Sequence, residues 1–228
     1  MAARPLARTC LAAACLLAAP AARAERSLYG QQPKRDAIFV RVVNALDTEV
    51  SVTSDLLPPQ TIGIRDETRI GSYLNLDRTD ASSLPLVVRA GGQEVRSTVG
   101  LSPATKVSLV VRRDGEAIRV VAMASRYEMN QTRTSLSFVN AAPECGPSSL
   151  RLEPASTVVF PDVAVDTERS RGVNPVSVQL SSGCREGRST TAKPVQLEAG
   201  NATSVWLLVL RNQPTLIVGS DALPAWKP

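Results

Sequence analysis

The triplet Val43-Asn44-Ala45 returns 96 residues later as Val139-Asn140-Ala141, each time where an apolar run gives way to a turn. A chain that repeats one local solution at that interval reads as two copies of a single unit. In the first copy, Ile38 to Val43 is apolar except for Arg41. Val, Ile and Phe favour a pleated, half-buried surface. Asn44 to Thr48 reads as a turn, because Asn and Asp bond their own backbone and tolerate unusual dihedrals. Glu49-Val50-Ser51-Val52 then alternates polar and apolar, as a strand with one wet face does. The second copy is shorter: Leu136 to Ala141, a turn-rich stretch, then Ser149-Leu150-Arg151-Leu152.

The rest of each unit carries the same kind of signal. Leu86 to Arg89 and Gln93 to Arg96 flank Ala90-Gly91-Gly92, and Gly-Gly supplies the positive dihedrals of a tight hairpin. Lys106 to Arg112 and Ala117 to Ala122 flank Arg113-Asp114-Gly115-Glu116, another hairpin turn. Ser54 to Ser83, with Pro58-Pro59, Gly63 and Gly71, predicts short strands and loops. In the second unit, Pro175 to Leu180 corresponds to the strand Pro85 to Arg89. Ser204 to Leu210, a turn at Asn212-Gln213-Pro214 and Thr215 to Val218 make its last hairpin. No stretch has a helical period with caps. The expected fold is all-β: two tandem antiparallel β-sandwich modules of about 100 residues each, one at 25–124 and one at 125–228.

Residues 1–24 read as a signal peptide. Arg4 and Arg8 form a positive start, Cys10 to Ala19 is apolar but too short to span a bilayer, and Ala22-Arg23-Ala24 suits cleavage. Three of the 26 basic residues precede Glu25, which leaves 23 against 21 acids. The basic balance therefore belongs mostly to the leader, and no nucleic-acid partner is expected. Two of the four cysteines also lie there. Cys145 and Cys184 remain, and in an oxidising compartment they form one disulfide. A bridge over that span stabilises by about 3–4 kcal/mol. The alternative, a reactive cysteine, lacks both a Cys-x-x-Cys pattern and a histidine.

The chain has no histidine. Ser-His-Asp and Cys-His sites cannot be built, nor can a histidine-ligated metal site. None of Lys34, Lys106, Lys193 and Lys227 stands in a nucleophile motif. Asp162, Asp166 and Glu168 could offer oxygen ligands to calcium, but their spacing matches no loop motif and a solvated charged loop is the plainer reading. No cofactor and no metal is expected. Phe39, Phe138, Phe160 and Trp206 fall in strands and belong to the core, while Tyr29, Tyr73, Tyr127 and Trp226 are candidates for exposure. The arginines are dispersed along the strands, as on a solvated surface.

Leu28-Tyr29-Gly30, then Phe39-Val40-Arg41-Val42-Val43-Asn44-Ala45, resembles the start of the mature AlgF family, a periplasmic component of alginate O-acetylation. Val173-Asn174-Pro175-Val176-Ser177-Val178 resembles that family's Asn-Pro-Val strand. The resemblance implies a periplasmic adaptor in the acetylation of an exopolysaccharide, alginate or a relative such as cellulose. It implies two partners, a membrane-bound acyltransferase and a periplasmic acetyltransferase, with the polysaccharide itself as a third. Leu28, Tyr29, Gly30, Asn174 and Pro175 become the candidate partner-binding residues, and no catalytic residue is carried over. A secreted β-sandwich module for binding or adhesion, with no part in acetylation, is the alternative.

Overall fold

The computed structural model describes residues 36–76, 80–126, 134–185 and 187–224. The expected signal peptide at 1–24, Leu28-Tyr29-Gly30, Tyr127 and Trp226 lie outside the described residues. In the first half the strands are β1 (Ile38–Asn44), β2 (Val50–Thr53), β3 (Gln60–Ile62), β4 (Leu74–Asn75), β5 (Ser83–Ala90), β6 (Gln93–Gly100), β7 (Thr105–Asp114) and β8 (Ala117–Arg126). The second half repeats the series as β9 (Thr134–Asn140), β10 (Ser148–Glu153), β11 (Thr157–Val163), β12 (Thr167–Val173), β13 (Val176–Gly183), β14 (Lys193–Leu197), β15 (Ala202–Leu210) and β16 (Gln213–Ser220). Single 3-10 turns at Asp66–Thr68 and Pro143–Cys145 are the helical elements among the described residues.

The two halves share one topology. Sheets ordered β3-β2-β5-β6 and β4-β1-β7-β8 form the first sandwich, and β11-β10-β13-β14 and β12-β9-β15-β16 the second. The fold is the all-β pair of sandwiches that the repeat predicts. One detail departs from a purely antiparallel plan: β1 pairs parallel with β7, and β9 with β15. The final hairpin also turns at Arg211-Asn212, one residue earlier than expected, so Gln213 and Pro214 lie in β16.

Side-chain alternation explains the layering. Ile38, Val40 and Val42 of β1, with Val107, Leu109 and Val111 of β7, enter a core closed by β2, β5 and β6. Leu136, Phe138, Val205 and Leu207 close the second core with β10, β13 and β14. The intervening residues on the same inner strands do not meet water. Val43, Val110 and Met123 pack on Val139, Ala141, Trp206, Leu208 and Ile217. The two inner sheets thus lie face to face, and the molecule is a four-layer stack of sheets. Every residue of β1 is buried, whereas β5 alternates buried and partly or fully exposed. A continuous apolar run is what a strand covered on both faces requires.

The repeated Asn explains itself here. Asn44 is fully buried, and its side-chain amide donates to the carbonyls of Thr48 at 2.9 Å, Ile62 at 3.2 Å and Gly63 at 2.9 Å. Its Oδ1 accepts from the Leu46 amide at 2.8 Å. Asn140 does the same work, donating to Gly146 and Val163 at 2.8 and 2.9 Å and accepting from Ala142. Each Asn ties the end of its inner strand to the chain entering the outer sheet. Each supplies side-chain hydrogen bonds to backbone carbonyls where the strands turn.

Candidate functional site

The contact between the two inner sheets holds the densest polar chemistry among the described residues. Arg41 interrupts the apolar run of β1, and its side chain falls on the face turned to the second module. It is completely buried. The guanidinium lies between two aromatic rings, 4.2 Å from the centroid of Tyr73 and 4.9 Å from that of Trp206. Nε donates to Ser108 Oγ at 2.9 Å, Nη1 to the Ser220 carbonyl at 3.1 Å and Nη2 to Asp221 Oδ1 at 2.6 Å. Lys106 Nζ joins Asp221 Oδ2 to Glu168 Oε1, the latter at 2.7 Å. Ser125 donates to the other oxygen of Glu168 at 2.9 Å.

Two cations and two carboxylates close a neutral set. Arg41, Tyr73, Lys106, Ser108 and Ser125 come from the first sandwich, whose last strand β8 runs to Arg126, past the expected boundary at 124, and Glu168, Trp206, Ser220 and Asp221 come from the second. Trp206 is held in turn by Ser204, whose Oγ accepts from Nε1 at 3.0 Å. Ser204 stands 96 residues after Ser108, so both copies of the unit place a serine at this point of the contact.

The electrostatics fit a clamp. Burial by itself would raise the Asp221 carboxyl, but Arg41 and Lys106 outweigh it and hold it below the usual carboxylate range. Burial would lower the Lys106 ammonium, yet Asp221 and Glu168 keep it above its ordinary value. Burial pushes the Tyr73 hydroxyl up to about 12. At neutral pH these three groups are locked in their common charge states, with no free base or nucleophile among them. Removing one partner would strand a buried charge, so the set works as an all-or-none lock.

Further ties flank it. Arg112, near the other end of β7, grips Asp166 with both terminal nitrogens, Nη2 to Oδ2 at 2.9 Å, and reaches the Ala141 carbonyl. Lys193 pairs with Asp66 across the modules. Gly219 lies under Ile70 so closely that a Cβ there would stand 2.8 Å from Ile70 Cδ1.

Several expectations change. Tyr73, read as a candidate for exposure, is buried in the clamp. Arg41 and Arg69 are buried and not part of a solvated set; Arg69 donates to the Asn44 and Leu46 carbonyls. Of the acidic trio, Asp166 and Glu168 are the second module's partners for Arg112 and Lys106, while Asp162 stays exposed. Trp206 is core, as expected, but the core between modules. Cys145 and Cys184 form a disulfide in the second sandwich, both buried. Asn174 and Pro175 lie in the exposed connection from β12 to β13, away from the clamp. Asp221, which sequence reasoning missed, had one signal: an acid in an apolar closing segment opposite an arginine in an apolar strand.

No family model matches the chain. It is 26% identical over 224 residues to the alginate biosynthesis protein AlgF of Pseudomonas syringae pv. tomato, a match covering 96% of this chain and 89% of that protein. The C-terminal domain of AlgF from P. aeruginosa aligns with 39% of this chain and 98% of its own length, at 19% identity and a TM-score of 0.34. A Bacteroides ovatus protein named for cell adhesion aligns with 87% of this chain and 99% of its own length, at 10% identity and a TM-score of 0.23. At these TM-scores neither structural likeness carries weight.

Proposed function

We propose that the chain is a periplasmic scaffold in the O-acetylation of an alginate-type exopolysaccharide. It would hold a membrane-bound acyltransferase and a periplasmic acetyltransferase in a set relation to each other and to the polymer. The observation that carries this reading is the 26% identity with an alginate biosynthesis protein across 96% of the chain, both modules included. The Cys145–Cys184 disulfide suits an oxidising compartment. The lock between the modules suits a part whose work is to keep surfaces in register, since its charged groups are shielded from substrate and saturated by one another.

The test is a deletion strain in a producing organism, with polymer acetyl content measured by NMR. Loss of acetyl groups with the polymer still made, restored by the wild-type chain, supports the reading. Unchanged acetyl content removes it and leaves the secreted binding or adhesion module in its place.

A further inference from the structure

We propose that the lock is also a pairing code. It admits a first-module face only against a second-module face, within one chain or between two, so that two copies of this chain can join by exchanging modules.

The contact is symmetric in plan. The 96-residue repeat holds strand by strand: β1 meets β7 at Arg41 and Ser108, and β9 meets β15 at Ser137 and Ser204. β7 and β8 set Lys106 beside Ser125. β15 and β16 set Ala202 beside Asp221, whose amide donates to the Ala202 carbonyl at 2.8 Å. The apolar patch uses the same places on both sides. Val43, Ala45, Val110 and Val121 pack with Val139, Ala141, Trp206 and Ile217, each 96 positions on. Two faces of one plan could equally meet their own kind in a second copy, as in a two-fold dimer.

The charges decide against that. By the same repeat, Ser137 stands at the place of Arg41, Ala202 at that of Lys106 and Ser125 at that of Asp221. The first module therefore brings two buried cations. The second brings Asp221, which they share, and Glu168, which holds Lys106 from the other side. Two first-module faces would bring together two Arg41 and two Lys106, with serine where Asp221 is needed. Two second-module faces would bring together two Asp221 and two Glu168, with serine and alanine where the cations are needed. Either pairing strands buried charge of one sign, and only unlike faces cancel. The flanking pair Lys193–Asp66 has the opposite sense, but both side chains are partly exposed and weigh less.

The code does not specify whose second module is taken. Seven residues separate Arg126 of β8 from Thr134 of β9. So short a connection gives a chain's own second module an effective concentration on the order of millimolar. The wild-type chain thus pairs with itself in dilute solution. A lock that fails within each chain but is whole between two chains would turn the pairing outward.

Two full-length variants create that case. K106E sets an acid beside Asp221 and Glu168, and D221K sets a cation beside Arg41 and Lys106. Each lock is broken within its own chain. Between the two chains, the first module of the D221K copy and the second module of the K106E copy make an unaltered lock. In the other pair the two reversed charges face each other. The variants are unfolded in urea with the disulfide kept, separately and mixed, and refolded at micromolar concentration. A variant that does not fold alone is therefore still tested in the mixture. Native mass spectrometry should find a 1:1 dimer of the two variants, at least about tenfold more abundant than the dimer that either variant or the wild type forms alone. Spin labels at Arg96→Cys in the D221K copy and Gln196→Cys in the K106E copy should then lie near 30 Å apart, three interlayer gaps of about 10 Å each. Absence of the 1:1 dimer overturns the proposal. So does equal dimer formation by either variant alone, or a mixed dimer whose labels show no distance near that length.

Discussion

Two kinds of polar residue tie the strands and the modules together at single positions. Asn44 fills a place where three carbonyls converge. Asn44→Ala removes these three bonds, and the expected loss is about 3 kcal/mol, read by urea unfolding. Asn140→Ala should cost somewhat less, since its amide serves two carbonyls. Asp221→Asn removes the charge that two buried cations share, and a loss of about 3–5 kcal/mol is expected. The pH dependence follows from the same groups. Asp221 titrates lower in the folded chain than unfolded, so its contribution is present above about pH 4 and is lost as pH falls through the lowered value. Lys106 and Tyr73 titrate higher when folded, so their contributions are complete below about pH 10 and are lost as pH rises through the raised values. Calorimetry should find a Tm plateau at mid pH with falling limbs on both sides, and D221N should flatten the acid limb.

At the scale of strands and turns, burial sorts the elements into two kinds. Outer strands such as β5 alternate; inner strands such as β1 are buried throughout. The hairpins were legible because Gly91-Gly92 and Asp114-Gly115 state their turn chemistry locally, and the repeat was legible because Val-Asn-Ala recurs. Burial on both faces has no such local signal. Ile38 to Val43 looks like any strand core, and the fact that its second face meets another module is non-local. For the same reason Arg41 passed as one of many arginines and Tyr73 as a surface ring. Arg41 finds Asp221 and Trp206 at 180 and 165 residues away, and Tyr73 reaches Asp221 across 148. The turn at Arg211 was misplaced because arginine gives no sign of a left-handed turn. Arg211→Gly should stabilise the chain by up to about 1 kcal/mol, measurable as a rise in Tm. Replacing both Cys145 and Cys184 with Ser should cost about 3–4 kcal/mol, felt in the second module's unfolding.

For the whole molecule, the central consequence is that two similar sandwiches present equivalent faces to each other and are locked there. The contact joins an apolar patch around Trp206, the charged lock and the flanking pairs Arg112–Asp166 and Lys193–Asp66. This arrangement offers two outer sheets at a set spacing and a cleft lined by both modules. Electron–electron double resonance measures that spacing directly. Spin labels at Arg96→Cys on the first outer sheet and Gln196→Cys on the second span three interlayer gaps of about 10 Å each, near 30 Å in all. A single narrow distance distribution near that length, broadened by Asp221→Asn, is the predicted result. A broad distribution in the wild-type chain would mean that the modules move independently, and the account of a locked scaffold would be wrong.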